Sequence, residues 1–403
     1  MLHPSSAGTA AGGERPRYEV AEVVRTYGAE FVRTHPTSTA QRRVLQAIAR
    51  CRTATLGGHV EGCTACGHQR IAYNSCRNRH CPKCQGAARA RWMAAEEAML
   101  LPVDYFHVVF TLPHALVALI RVNPRALYAL LFRAAAATLL TFARDPRHLG
   151  GEPTITMVLH TWGQTLTEHV HVHCVVSGGG LSPDQQRWMP TRQRGFLFPV
   201  RAMSAMFRGK YLAGLARLRR REQVQFAGQC AELADPDAWQ QWLATLRCIP
   251  WVVYAKPPFG GPAQVLKYLS RYTHRIAISN HRLRFIGDGI VRFAWKDYAD
   301  HNAPKEMTLA ASEFLRRFLL HVLPRGFMRL RHYGLLANRH REQKLARSRT
   351  LLGVPAPAPD PIAPADTDCD ALDAPVEPLP PCPLCGGPMS VIELLPPRAP
   401  DTS

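Results

Sequence analysis

The sequence predicts an α+β protein: a small cysteine-rich module, then a larger domain in which strands are interspersed with helices. Short alternating apolar runs recur between longer patterns of helical period. Six of the twelve cysteines fall between Cys51 and Cys84, a density that marks a metal-organised unit. At 403 residues the chain has room for two or three domains and at least one full core.

In chain order, residues 1–44 read as a flexible arm and then a helix, with Val20, Val23, Val24, Phe31 and Val32 at helical spacing. Val44, Leu45 and Ile48 continue that period into the cysteine-rich module at 45–90. The main domain spans 91–345. Its strands are expected at YFHVVFTL (105–112), TITMVLH (154–160), HVHVHCVVS (169–177) and WVVYAK (251–256). Helices are expected at 126–143, opened by Pro124, and at 202–221 and 313–322. A hairpin turns at Gly287-Asp288-Gly289, with Arg282, Arg284 and Arg292 along its arms. Residues 351–403 hold 14 of the 33 prolines and eight acids against one base, the composition of an acidic, disordered tail.

Charge narrows the function. Fifty basic residues against 30 acidic give +20, and with the acids gathered in the tail the body is more basic still. Such a body attracts a polyanion, and nucleic acid is the commonest. The N-terminus lacks a basic start followed by a long apolar run, and the most apolar stretch, 126–143, is interrupted by Arg133. A soluble cytoplasmic protein is expected. That compartment keeps thiols reduced, so the cysteines point to metal rather than disulfides.

Cys63-x2-Cys66 and Cys81-x2-Cys84 have the spacing of a four-thiolate structural zinc site. Cys51 and Cys76, with His59, His68 and His80, remain as ligands for a second ion. Arg70, Arg77, Arg79 and Lys83 surround the cluster and suit a DNA-contact role. Cys382-x2-Cys385 in the tail is half a site, open between borrowed ligands, weak binding and no role.

His169, His171 and His173 recur at period two and face one side of a strand. Neighbours in this series lie roughly 6.5–7 Å apart and can share one ion, whereas the outer pair, roughly 13 Å apart, cannot. Imidazoles completed by water and phosphate oxygens suit Mg²⁺ or Mn²⁺, with zinc left open. In KYLSRYTHR (267–275), Tyr268 and Tyr272 share a helical face at about 100° per residue. Tyr272 borders the apolar stripe of Val265 and Leu269, and Tyr268 borders the basic side of Lys267 and Arg271. A metal on a scissile phosphate would let such a phenol attack.

The histidine–hydrophobe–histidine strand followed by Y-x3-Y resembles the HUH endonuclease superfamily. The order of NRHCPKCQ, FTLPH, LHTWGQ, HVHCVVSGGG, FRGKYL, KYLSRYTHRIAISN and RHYGLLAN over about residues 45–345 resembles the insertion sequence 91 family of rolling-circle transposases. The resemblance implies an HUH domain, a central antiparallel sheet flanked by helices, behind a zinc-binding module. It implies His171 and His173 as the metal pair and Tyr268 and Tyr272 as nucleophiles. These would form a 5′-phosphotyrosine and free a 3′-OH on single-stranded element ends and target DNA. A third ligand is expected among His160, Gln164 and Glu168, and Lys267, Arg271, Arg275, Arg282, Arg284 and Arg292 would contact DNA. A plasmid replication initiator or relaxase shares this chemistry, and a non-catalytic zinc-dependent DNA-binding regulator shares the basic surface.

Overall fold

The computed structural model describes residues 16–84, 93–256, 264, 276–298, 300–337, 339–354 and 379–398. Two helices open it, α1 (Val20–Thr34) and α2 (Thr39–Arg50). Ser38 caps α2 by accepting from the Gln41 amide at 3.2 Å while Gln41 Oε1 accepts from the Ser38 amide at 2.9 Å. The hairpin β1 (Gly58–Cys63) and β2 (Gln69–Tyr73) follows. Next come β3 (Tyr105–Thr111), α3 (Val117–Val122) and α4 (Pro124–Arg144), which starts on its proline as expected. The strands β4 (Thr154–Trp162), β5 (Glu168–Ser177), β6 (Gly179–Leu181) and β7 (Trp188–Pro190) lead to α5 (Val200–Arg220) and α6 (Pro236–Cys248). After β8 (Val253–Lys256), the strands β9 (Leu283–Gly287), β10 (Ile290–Asp297) and β11 (Ala303–Ala310) form a small antiparallel sheet. The chain continues through α7 (Ala311–Leu320), β12 (Leu330–Gly334), α8 (Arg341–Leu351) and β13 (Met389–Leu395).

The main sheet has the order β12-β4-β5-β3-β8, with every neighbouring pair antiparallel. Alternation along its three inner strands decides what each face does. Val170, Val172, Cys174 and Val176 of β5, with Phe106, Val108 and Phe110 of β3 and Ile155, Met157 and Leu159 of β4, point into one core. Leu131 and Phe132 of α4, Phe207 and Tyr211 of α5 and Trp239 of α6 close that core from the helical side. Each such side chain contributes about 1.5–3 kcal/mol by leaving water. Helix α4 is long and apolar enough to cross a membrane, but most of its apolar stretch is buried here. The residues between the core positions, among them His107, His160, His171 and His173, therefore lie on the opposite face.

A second core joins α1 and α2 to the small sheet and α7. Val20, Val24, Ile48, Phe293, Phe314 and Phe318 meet in it, and Cys51, Cys81 and Leu166 are buried among them. The hairpin turns on Asp288 and Gly289, both in the left-handed region, as its sequence predicted. The tail departs from expectation. Residues 379–398 are ordered, and β13 pairs with β1 from Gly58↔Leu395 to Cys63↔Met389. Backbone pairing with a strand over 300 residues upstream supplies the order that its proline-rich composition does not.

Candidate metal centre and its cleft

Register across the main sheet gathers the histidines. His160 lies directly opposite His171 on β4 and β5, and His173 is opposite Val158 on one side and Val109 on the other. Opposite residues on one sheet face approach to about 4.5–5.5 Å at Cβ, which brings their rings together. Ligand nitrogens of His160, His171 and His173 all lie within 4.8 Å of one another. The Nε2 atoms of His171 and His173 are 3.0 Å apart. On their far sides, His171 Nδ1 is 2.7 Å from the His169 carbonyl oxygen and His173 Nδ1 is 2.8 Å from His107 Nε2. Trp162 stacks on His160, with ring centroids 4.5 Å apart.

Burial holds His171 down at about 3 and His107 at about 4, and pushes His173 well below the ordinary imidazole range. All three are neutral at physiological pH, the state a metal ligand requires. Of the three candidate third ligands, His160 is the one at the cluster. Glu168 is bound to the Arg121 guanidinium, and the Gln164 amide donates to the Tyr298 hydroxyl at 2.8 Å. His169 is exposed, off the cluster.

The histidines floor a cleft of about 660 Å³. Trp295 of β10, Tyr298 in the turn after it and Tyr254 of β8 form aromatic walls, and Arg282 and Lys256 add charge. The chain enters residues 257–275 from Lys256 and emerges at Ile276 and Ala277; Lys256 and Ala277 both line this cleft. Tyr268, Tyr272, Lys267, Arg271 and Arg275 lie outside the described residues.

The cysteines divide differently from the expectation. Cys81 and Cys84 cluster with Cys51 and Cys76, while Cys63 and Cys66 cluster with Cys382 and Cys385. Cys63, Cys66, Cys81 and Cys84 do not share one site. The β1–β2 register explains why: Gly62 pairs with Gln69 at the turn end, and Gly58 pairs with Tyr73 at the other. Cys63 and Cys66 sit at the tip, whereas Cys51 precedes the base and Cys76 follows it. A hairpin of this length holds tip and base roughly 16 Å apart. In the basal cluster, Cys84 Sγ is 3.4 Å from Cys51 Sγ and 3.5 Å from Cys76 Sγ. These match the sulfur–sulfur edge of about 3.8 Å in a tetrahedron with Zn–S bonds of about 2.3 Å, so the residues fit zinc.

Residues 23–112 match the family described as "Transposase zinc-binding domain", and residues 154–344 match the one described as "Putative transposase". The chain is 52% identical over 393 residues to "Putative transposase y4qJ" of Sinorhizobium fredii (strain NBRC 101917 / NGR234), covering 96% of this chain and 98% of that one. The chain belongs to the insertion sequence 91 family of transposases. It is also 29% identical over 320 residues to "Transposase for insertion sequence element IS801" of Pseudomonas savastanoi pv. phaseolicola, covering 77% of this chain and 74% of that one. The family anticipated from the motifs is therefore correct, and neither a plasmid initiator nor a non-catalytic regulator is favoured. No solved structure matches the chain.

Several arginines of the transposase brace the fold instead of facing outward. Arg79 donates to the carbonyls of Phe327 at 2.7 Å and Pro324 at 2.9 Å, while Arg70 is bound to buried Glu61. Lys83 pairs with Glu19 at 2.7 Å. Arg282 donates to the Ala294 carbonyl at 2.7 Å and to that of Gln164, which ties the small sheet to the β4–β5 turn. Arg284 and Arg292 stay exposed. His107, Trp295, Tyr254 and Tyr298 join the residues anticipated from the motifs; of these His107 carries a readable signal, because period two in YFHVVFTL places it opposite the core residues.

His321 of the transposase is buried beside the cleft, with Nδ1 3.1 Å from the Thr161 hydroxyl and Nε2 3.0 Å from the Leu166 carbonyl oxygen. Burial lowers it from 6.5 to about 4. Between those values the unfolded chain binds a proton that the folded chain refuses, so stability falls as pH falls across this window. The slope is about 1.4 kcal/mol per pH unit, and the loss reaches about 3 kcal/mol near pH 4. Urea midpoints for wild type and His321→Gln should diverge less at pH 4.5 than at pH 7. Equal divergence at both would rule this out.

Proposed function

We propose that this transposase nicks and rejoins single DNA strands in a divalent-metal-dependent reaction, moving an insertion sequence by the rolling-circle route. The observation that carries the reading is the convergence of three imidazoles, His160, His171 and His173, on the floor of an aromatic, basic cleft. These residues would hold the ion. When bound, Mg²⁺ or Mn²⁺ would supply Lewis-acid neutralisation of charge on the scissile phosphate. The all-nitrogen donor set favours Mn²⁺ over Mg²⁺, which prefers oxygen.

The chain's own groups prepare that site. His171, donating its Nδ1 proton to the His169 carbonyl, directs the Nε2 lone pair at the cluster. His173 does the same by donating to His107 Nε2. His107 is thus a positioning residue, fixing the tautomer and ring plane of His173. His107→Ala should weaken Mn²⁺ binding about 10–100-fold, with His107→Gln recovering part of it. Manganese paramagnetic resonance reads this without any DNA, and unchanged affinity in His107→Ala would remove the role.

Tyr268 and Tyr272 are the proposed nucleophiles. Both ends of the described chain around them, Lys256 and Ala277, line the cleft. Five residues separate Tyr272 from Ala277 and nine separate Tyr268, spans of at most roughly 17 Å and 30 Å, so the chain length allows either phenol to serve the cleft. The phenol oxygen attacks phosphorus, its proton passing to water. The new bond joins tyrosine to the 5′-phosphate as the bond to the 3′ oxygen breaks, and that oxygen leaves as a 3′-OH on taking up a proton. The second tyrosine permits a second cleavage while the first holds its strand. Trp295, Tyr254 and Tyr298 would stack on unpaired bases, with Lys267, Arg271, Arg275, Arg284 and Arg292 on the phosphates.

The test is a labelled single-stranded element end incubated with the protein and Mn²⁺ or Mg²⁺, then run on a denaturing gel. A covalent protein–DNA adduct is expected. Its absence under every divalent metal would overturn the reading.

A further inference from the structure

We propose that Cys63, Cys66, Cys382 and Cys385 bind a second zinc ion, a clasp that locks the C-terminal segment 379–398 onto the N-terminal module. The four sulfurs lie within 4.8 Å of one another. Cys63 Sγ is 3.5 Å from Cys385 Sγ, and Cys66 Sγ is 3.6 Å from Cys382 Sγ. These separations are far beyond the 2.05 Å of a disulfide and close to the edge of about 3.8 Å expected for four thiolates on one zinc.

The backbone around the sulfurs is built symmetrically. Each half is a Cys-x2-Cys-Gly turn. Gly67 donates to the Cys63 carbonyl at 3.1 Å, and Gly386 donates to the Cys382 carbonyl at 2.9 Å. Both glycines take the left-handed conformation, at φ +71° and +74°. The Gly387 amide donates to Cys385 Sγ at 3.4 Å, the type of bond that steadies a metal-bound thiolate. A Cβ at Gly387 would lie 2.9 Å from Ala65 Cβ, so the two turns approach as closely as a glycine allows.

Contacts beyond the sulfurs extend the clasp. Thr64 donates its amide to the Pro388 carbonyl at 3.2 Å, and Arg398 donates to that of Ala54 at 3.0 Å. A Cβ at Gly57 would sit 2.6 Å from the Leu395 carbonyl oxygen. The half site in the tail thus finds its other half more than 300 residues upstream. The matched zinc-binding domain ends at residue 112, before either tail cysteine. Each cluster has two buried cysteines, but the other two are exposed in the clasp, Cys66 and Cys385, and half-buried in the basal cluster, Cys76 and Cys84, so the clasp should release its metal first.

The experiment uses full-length protein. Elemental analysis should find two zinc ions per chain in wild type and one in Cys382→Ser/Cys385→Ser. Residues 355–378 hold Asp360, Asp366, Asp368, Asp370 and Asp373, so limited digestion with a protease that cuts before aspartate is directed to the stretch preceding the clasp. After that cut, the C-terminal fragment should co-elute with the rest of wild type in size exclusion and separate on brief chelation. One zinc in wild type, two in the double variant, or a fragment that separates with zinc still bound would each overturn the clasp. Should the double variant misfold, cobalt titration of wild type decides: two equivalents with tetrahedral thiolate absorption support it, one overturns it.

Discussion

His171→Ala/His173→Ala should abolish the covalent DNA adduct while leaving DNA binding within about threefold of wild type. The loss in rate should reach about 10³-fold or more, because several kcal/mol of charge stabilisation at the scissile phosphate disappears with the ion. DNA binding survives because affinity for a polyanion comes mainly from phosphate contacts, and these histidines are neutral and nearly buried. Both rings are replaced together because either alone, with His160, could still hold an ion weakly. An unchanged far-UV spectrum and melting temperature would show that the sheet survives, since the core side of β5 is untouched. Adduct formation by the double variant at wild-type rate would sink the metal-centre reading. Tyr268→Phe and Tyr272→Phe complete the set, with Tyr268, bordering the basic face of its helical wheel, expected to matter more for the first cleavage.

Local patterns in the sequence were enough for the elements that face one core. Period two in the strands 105–111, 154–162 and 168–177 separated core valines from histidines, and Pro124 and the Asp288-Gly289 turn set the start of a helix and the bend of a hairpin. That His160, and not Gln164 or Glu168, lies beside the histidine pair was not legible, because it depends on the register between β4 and β5 and on Arg121 engaging Glu168. The partition of the cysteines differs from the expectation for a related reason. Spacing suggests which residues can share an ion, but the length of the β1–β2 hairpin decides which ends meet. The order in 379–398 was invisible for the same cause, since no local signal encodes a strand pairing across more than 300 residues. What the patterns could supply was residue type and face; what they could not supply was distance between faces.

Cys81→Ser should unfold the N-terminal module and loosen the second core while the main sheet persists. A four-thiolate zinc site in small domains contributes about 10–16 kcal/mol of apparent binding free energy at neutral pH, comparable to the whole stability of a typical domain at about 5–15 kcal/mol. Cys81 is fully buried in the same core as Ile48, Phe293 and Phe318, so the substitution also leaves a polar hydroxyl among apolar side chains. Hydrogen exchange should rise across 20–50, 283–297 and 311–320 and in the turn at Leu166, with the strand residues 154–159 and 170–177 protected as in wild type. Cys66→Ser, an exposed position at the tip of the hairpin, should leave those first segments protected, because Cys66 belongs to neither core. Leu166 belongs to the second core and lies in the turn between β4 and β5, four residues after Trp162, which stacks on His160. Disorder there should therefore reach the metal centre, and Mn²⁺ affinity should fall in Cys81→Ser although no imidazole has changed. A variant that lost its zinc yet kept both its exchange protection and its Mn²⁺ affinity would show that the module and the cleft are independent.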